Sequence, residues 1–177
     1  MRTKDQIAEN KKKDSGFSIL EMMIASVVLL VGILSVVQLV PFSLQTNRNN
    51  RQDTTATVIA QRELDQIVNQ PINNTTFTDA DGRSISLGDP TQNNVIVGGP
   101  VNIATGRIDF SQTAVTGYNY TYTDPNDGSG TRYQVRWAVL TTTNGGNPVS
   151  KRIIIACWGK QTSQITVPVN IDTTVQK

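Results

Sequence analysis

Between Phe17 and Val40 the chain runs for 24 residues with one charged side chain, Glu21. At ~1.5 Å rise per residue a helix of that length covers ~36 Å, enough to cross the hydrocarbon core of a bilayer. A carboxylate in such a segment is costly unless a positive group meets it. The run itself supplies none, so Glu21 is expected to find its counter-charge on another molecule. The chain reads as one built for assembly.

The flanks give the run a direction. Lys11, Lys12 and Lys13 stand just before it, and the positive-inside rule keeps that end in the cytoplasm. The body is then expected outside. Residues 1–16 carry Arg2, Lys4 and the three lysines against Asp5, Glu9 and Asp14, a local charge of +2 that equals the formal net charge of the whole chain. The rest is therefore balanced and offers no electrostatic case for nucleic-acid binding. Hydrophobic residues make up 37% and charged residues 17%, and Thr, Asn, Gln and Ser are abundant after Pro71. This is the composition of an exported β-rich domain with polar outer faces. No His is present, which removes the commonest general base, metal ligand and pH switch.

Three readings of the apolar run compete. A secretory signal peptide has an apolar region of ~7–15 residues and a small-x-small cleavage site; this run is longer and leaves through Val40-Pro41-Phe42. A plain single-pass anchor explains the length and the lysines but not Glu21. A processed membrane helix that later packs into a polymer explains all three. Gly32 and Pro41 are expected to interrupt or bend the helix, Pro41 falling at the expected membrane exit.

Beyond Pro41 a second stripe begins. Ala56, Ile59, Ala60, Leu64, Ile67 and Val68 recur at three- and four-residue steps, the mark of an amphipathic helix. Arg62, Glu63 and Asp65 are expected on its solvated face. Asn69 and Pro71 end it, so one long helix is expected over about 17–69. Loop signals dominate 71–106, with short strands expected at Ser84–Leu87 and Asn94–Val97. Further strands are expected at Arg107–Phe110, Tyr118–Thr123, Arg132–Thr142, Val149–Gly159 and Gln164–Asn170. Thr143-Asn144-Gly145-Gly146-Asn147-Pro148 reads as a hairpin loop. Tyr133, Val135, Trp137 and Val139 share one strand face by period two and should cover the amphipathic helix.

Gly16-Phe17-Ser18-Ile19-Leu20-Glu21, behind a short basic leader and ahead of an apolar helix, resembles the type IV prepilin (class III) signal. The resemblance implies cleavage between Gly16 and Phe17 by prepilin peptidase and methylation of the new amino terminus on Phe17. It implies that Glu21 forms an assembly salt bridge with a neighbouring subunit. Ala60-Gln61-Arg62-Glu63-Leu64-Asp65-Gln66-Ile67 resembles the late helix of PilV-class minor pilins. Tyr133-Gln134-Val135-Arg136-Trp137 followed by Lys151-Arg152-Ile153-Ile154-Ile155-Ala156-Cys157-Trp158 resembles the terminal hairpin of that class and of type II secretion I-type minor pseudopilins. Residues 71–117 resemble nothing nameable.

The implied fold is the α+β type IV pilin fold, a long N-terminal helix packed on a C-terminal antiparallel sheet. The implied organisation is a cleaved leader (1–16), a membrane half-helix (17–40), an amphipathic half-helix (41–70), a β-rich head (71–171) and a frayed tail (172–177). The implied role is a structural minor subunit of a type IV pilus. A type II secretion minor pseudopilin and a non-assembling anchored interaction module remain open beside it. Expected partners are prepilin peptidase, other pilin or pseudopilin subunits and the inner-membrane assembly platform. The expected location is the inner membrane, with the head outside, and then the fibre.

Other chemistry is poorly supported. Asp79-Ala80-Asp81-Gly82 and Asp124-Pro125-Asn126-Asp127-Gly128 cluster oxygen ligands, as in the calcium loops of some major pseudopilins. Neither has the full spacing of a calcium loop, and Asp-Gly and Asp-Pro are ordinary turn formers. Gly98-Gly99-Pro100 lacks the Lys-Ser/Thr of a phosphate loop. No metal, cofactor or enzymatic activity is expected. Tyr118, Tyr120 and Tyr122 share a strand face and are expected in a core or ladder instead of an adhesive surface. Cys157 is expected to be a buried small hydrophobe. The lack of a Cys pair departs from the disulfide-closed loop of many major pilins.

Overall fold

The computed structural model describes residues 16–125, 130–160 and 167–176. Helix α1 runs from Ile19 to Val68. Nine strands follow: β1 (Thr76–Thr78), β2 (Ser84–Ser86), β3 (Val95–Gly98), β4 (Val101–Asn102), β5 (Arg107–Ile108), β6 (Asn119–Thr123), β7 (Arg132–Asn144), β8 (Asn147–Lys160) and β9 (Val169–Gln176). The arrangement is α+β, consistent with the pilin fold. Two compact units divide within α1, after Thr46.

The N-terminal unit is helix in its described part from Ile19 onward. The expected interruption does not occur: the helix passes through Gly32 and Pro41. Proline at 41 removes one donor from the ladder, yet the turns on either side stay closed. Ser35 and Thr46 hydroxyls donate to the carbonyls of Val31 and Phe42, at 2.8 and 3.0 Å, a back-bonding pattern that helices tolerate.

In the C-terminal unit α1 buries Ala56, Ile59, Ala60, Leu64 and Ile67, as its periodicity requires. They pack on Tyr133, Val135, Trp137 and Val139 of β7 and on Ile153, Ile155 and Cys157 of β8. The five-stranded antiparallel sheet has the order β3-β7-β8-β9, with β6 also paired to β7. β6 takes the β7 edge from Arg132 to Arg136 and β3 takes it from Ala138 to Thr141. Between them Trp137 N–H donates to the Tyr118 carbonyl at 3.2 Å, and Gly99 N–H donates to the Trp137 carbonyl at 2.7 Å. The chain can pass that close only because Gly98, at φ 104°, has no side chain: a Cβ there would lie 2.5 Å from the Tyr118 ring.

The opposite face of the sheet is also covered. Ala138, Ile154 and Ala156 meet Ile108 of β5, with Val101 and Phe110 at the rim. This is the work of the segment around the β4–β5 hairpin. Arg136 ties it down by donating to the carbonyls of Gln112 (2.7 Å) and Asp109 (3.2 Å), and Phe110 packs edge-on against Trp158.

Several expectations need correction. Glu63 is not on the solvated face; it is wholly buried. Its position four residues after Ile59, three after Ala60 and four before Ile67 puts it on the buried stripe. The expected frayed tail from Asp172 is strand β9, which pairs with β8 out to Gln176. Arg152 of β8 holds the Asp172 carboxylate at 3.0 Å. The expected strand at Gln164–Asn170 begins only at Val169, and its earlier part falls largely on 164–166, outside the described residues. The expected six-residue hairpin loop shortens to a Gly145-Gly146 turn, both at positive φ, with a register shift between Thr142 and Thr143. β1 and β4 were not expected.

Candidate processing and assembly segment

Gly16 is exposed, and nothing described lies within 4 Å of where its Cβ would stand. Phe17 is 74% exposed. Ser18 caps the helix: its Oγ accepts from Leu20 N–H at 3.3 Å, and its carbonyl accepts from Met22 N–H at 3.1 Å. An N-cap serine satisfies a donor that the first turn would otherwise leave open. Glu21 sits in the first turn, where the helix dipole favours an anion. Its carboxylate is exposed and has no partner among the described residues. The structure thus brings Gly16, Phe17 and Glu21 together at the start of one helix, with the backbone open before it.

From Phe17 to Leu44 the large apolar side chains are all more than half exposed. The helix is long and apolar enough to cross a membrane, and none of its apolar window is buried within the chain. At Gly32 the missing side chain leaves an open apolar notch flanked by Val28, Leu29, Ile33, Val36 and Val37.

A second cluster lies in the C-terminal unit. The β1–β2 turn is built on Asp79, whose Oδ1 accepts from the N–H groups of Asp81 (3.0 Å) and Arg83 (2.6 Å), while Oδ2 accepts from Arg83 Nε at 2.6 Å. The carboxylate closes the turn, as the turn-former reading requires. Burial pushes Asp79 up, but the hydrogen bonds from Arg83 outweigh it and hold the carboxyl below its ordinary value. Tyr120 Oη donates to Glu63 Oε2 at 3.1 Å, and the Arg83 guanidinium lies over the Tyr120 ring, 3.6 Å from its centroid. Periodicity places Glu63 here; only its charge argued otherwise. Asn126, Asp127 and Gly128 of the other acidic stretch fall outside the described residues.

Tyr120 is buried, and Tyr118 and Tyr122 pack partly buried against the same core, the core role expected of that face. Cys157 is fully buried, and burial pushes its thiol up to about 12.

Residues 11–37 match the family model described as the prokaryotic N-terminal methylation motif, the prepilin-type signal. Comparison with curated proteins and with solved structures gives no match. The motif indicates a type IV pilin-like or pseudopilin protein; it implies processing by a peptidase and assembly with other pilin subunits. With the apolar helix it indicates a membrane-anchored protein.

Proposed function

We propose that the chain is a structural minor subunit of a type IV pilus. Prepilin peptidase cuts between Gly16 and Phe17, and the new amino terminus on Phe17 is methylated. The helix then holds the subunit in the inner membrane, with the C-terminal unit outside, until assembly draws it into the fibre. One observation carries this reading: the methylation-motif match ends inside the stretch of α1 up to Leu44 whose large apolar side chains are all exposed.

Leaving lipid for a bundle of neighbouring helices changes hydrophobic free energy little, because lipid tails are as apolar as the partners. Register must then come from shape and from charge. The notch at Gly32 is the kind of small-residue surface that lets helix backbones approach. Glu21 supplies the charge: its carboxylate meets the positive amino terminus of an adjacent subunit in a charge-assisted contact that fixes register more than it adds stability.

A type II secretion minor pseudopilin is the second reading, since the Tyr133-x-Val135-x-Trp137 and Lys151-Arg152-Ile153 strands of the β7–β8 hairpin resemble both classes equally. The test is fractionation of the native host carrying Glu21→Ala. The variant should be membrane-bound and cleaved but absent from the fibres that contain the wild-type chain. Normal incorporation contradicts the assignment of Glu21. The fibre that co-purifies with the wild-type chain, surface pilus or secretion pseudopilus, separates the two readings.

A further inference from the structure

Glu63 is a buried acid short of donors. Among the described residues its Oε1 has no hydrogen-bond partner, and its Oε2 has one, the Tyr120 hydroxyl. The nearest cation, Arg83, stands 3.9 Å from Oε2. That guanidinium is already committed to Asp79 and to Asp81, each at 2.6 Å. Arg62, the neighbour of Glu63 on α1, turns to Asp81 at 2.7 Å and lies over the Tyr122 ring. The groups facing Glu63 are therefore Arg62 from α1, Tyr120 from β6, and Asp79 and Arg83 from the β1–β2 turn, with Asp81 behind the two cations. Two cations serve three carboxylates, and Glu63 is the one left with a single neutral donor. An ionised carboxylate held away from water needs more than that, and the neutral acid costs far less to bury there.

We propose that Glu63 is a proton-operated latch: protonated, it lets α1, β6 and the β1–β2 turn close on one another, and ionised, it works them apart.

The direction of the effect follows from the environment. Burial raises Glu63 above its ordinary 4.5, and the Tyr120 hydrogen bond recovers only part of the shift. A raised acid contributes stability that is fully present below its ordinary value and is lost as pH rises through its folded value. Asp79, held low, acts oppositely: its contribution is present above its ordinary 3.8 and is lost in acid. The latch therefore opens on the alkaline side. It belongs wholly to the C-terminal unit, so it stands or falls apart from any role of the membrane helix.

The chain contains only three glutamates, Glu9, Glu21 and Glu63, which makes the group easy to follow. Full-length protein labelled with carboxyl-13C glutamate in neutral detergent micelles gives three carboxyl resonances, and Glu63→Gln identifies one of them. That resonance should titrate above the ordinary 4.5 of a glutamate. Melting of the wild type should drop between about pH 5 and about pH 8, while Glu63→Gln holds its melting temperature; the difference between the proteins isolates Glu63 from Asp79. A Glu63 midpoint at or below ~4.5, or an equal gap between the two proteins at both pH values, overturns the latch. Should Glu63→Gln fail to fold, Glu9→Gln and Glu21→Gln identify the Glu63 resonance by elimination, and its midpoint decides.

Discussion

The Tyr120 hydroxyl donates to the Glu63 carboxylate across 3.1 Å, joining β6 to the last third of the long helix. Among the described residues it is the one hydrogen bond that the buried acid receives. Tyr120→Phe should therefore cost about 1–3 kcal/mol, the usual penalty for leaving a buried polar group without its partner. It should also push Glu63 further up. Chemical denaturation and the carboxyl titration together check this; a neutral Tyr120→Phe would show that the contact carries no weight.

Gly98 tests the close passage beside Trp137. An alanine there would have to hold φ near 104° and place Cβ 2.5 Å from the Tyr118 ring and 2.7 Å from the Trp137 carbonyl. The expected cost is at least about 2 kcal/mol, from backbone strain and the displaced ring together. Tryptophan fluorescence should shift with it, since Trp137 is fully buried and donates its indole N–H to the Ser86 carbonyl at 2.8 Å. Unchanged stability would contradict the tight passage.

Cys157 should be inert while the protein is folded. Its thiol is fully buried and pushed up to about 12, so little thiolate exists at neutral pH. Alkylation at mildly alkaline pH should be slow in native protein and rapid in denaturant. Fast labelling of the native chain would show that β8 opens readily.

Much of this was readable from residue order, and the exceptions share a cause. Tyr133, Val135, Trp137 and Val139 announce their face because alternation is a local signal, and Ala56 to Ile67 announce theirs through the helical period. Glu63 obeys the same period, but its charge argues for solvent until Tyr120, 57 positions away, is seen to meet it. The outer part of β9 was missed because Asp172 and its polar neighbours look like a tail; Arg152, 20 residues earlier, neutralises the acid. The β4–β5 hairpin is only two residues long on each side and shows no periodicity, yet it covers a sheet face. Of the candidate processing segment, Gly16, Phe17 and Glu21 stood out at once through charge and spacing. The Ser18 cap did not, because its oxygen matters only once the helix start is known.

Gly16 supplies the most compact genetic test of processing. A bulky substitution such as Gly16→Phe should leave the chain uncut while sparing insertion, because it changes the peptide at the proposed cleavage point and no described residue packs against it. Mature-size protein from that variant would show that cutting takes place elsewhere.

The most direct measurement is the intact mass of the wild-type protein from its native host. The account predicts loss of residues 1–16 and a gain of about 14 Da, one methyl group, on a chain that begins at Phe17. A chain that keeps its leader, or starts at any other residue, contradicts it.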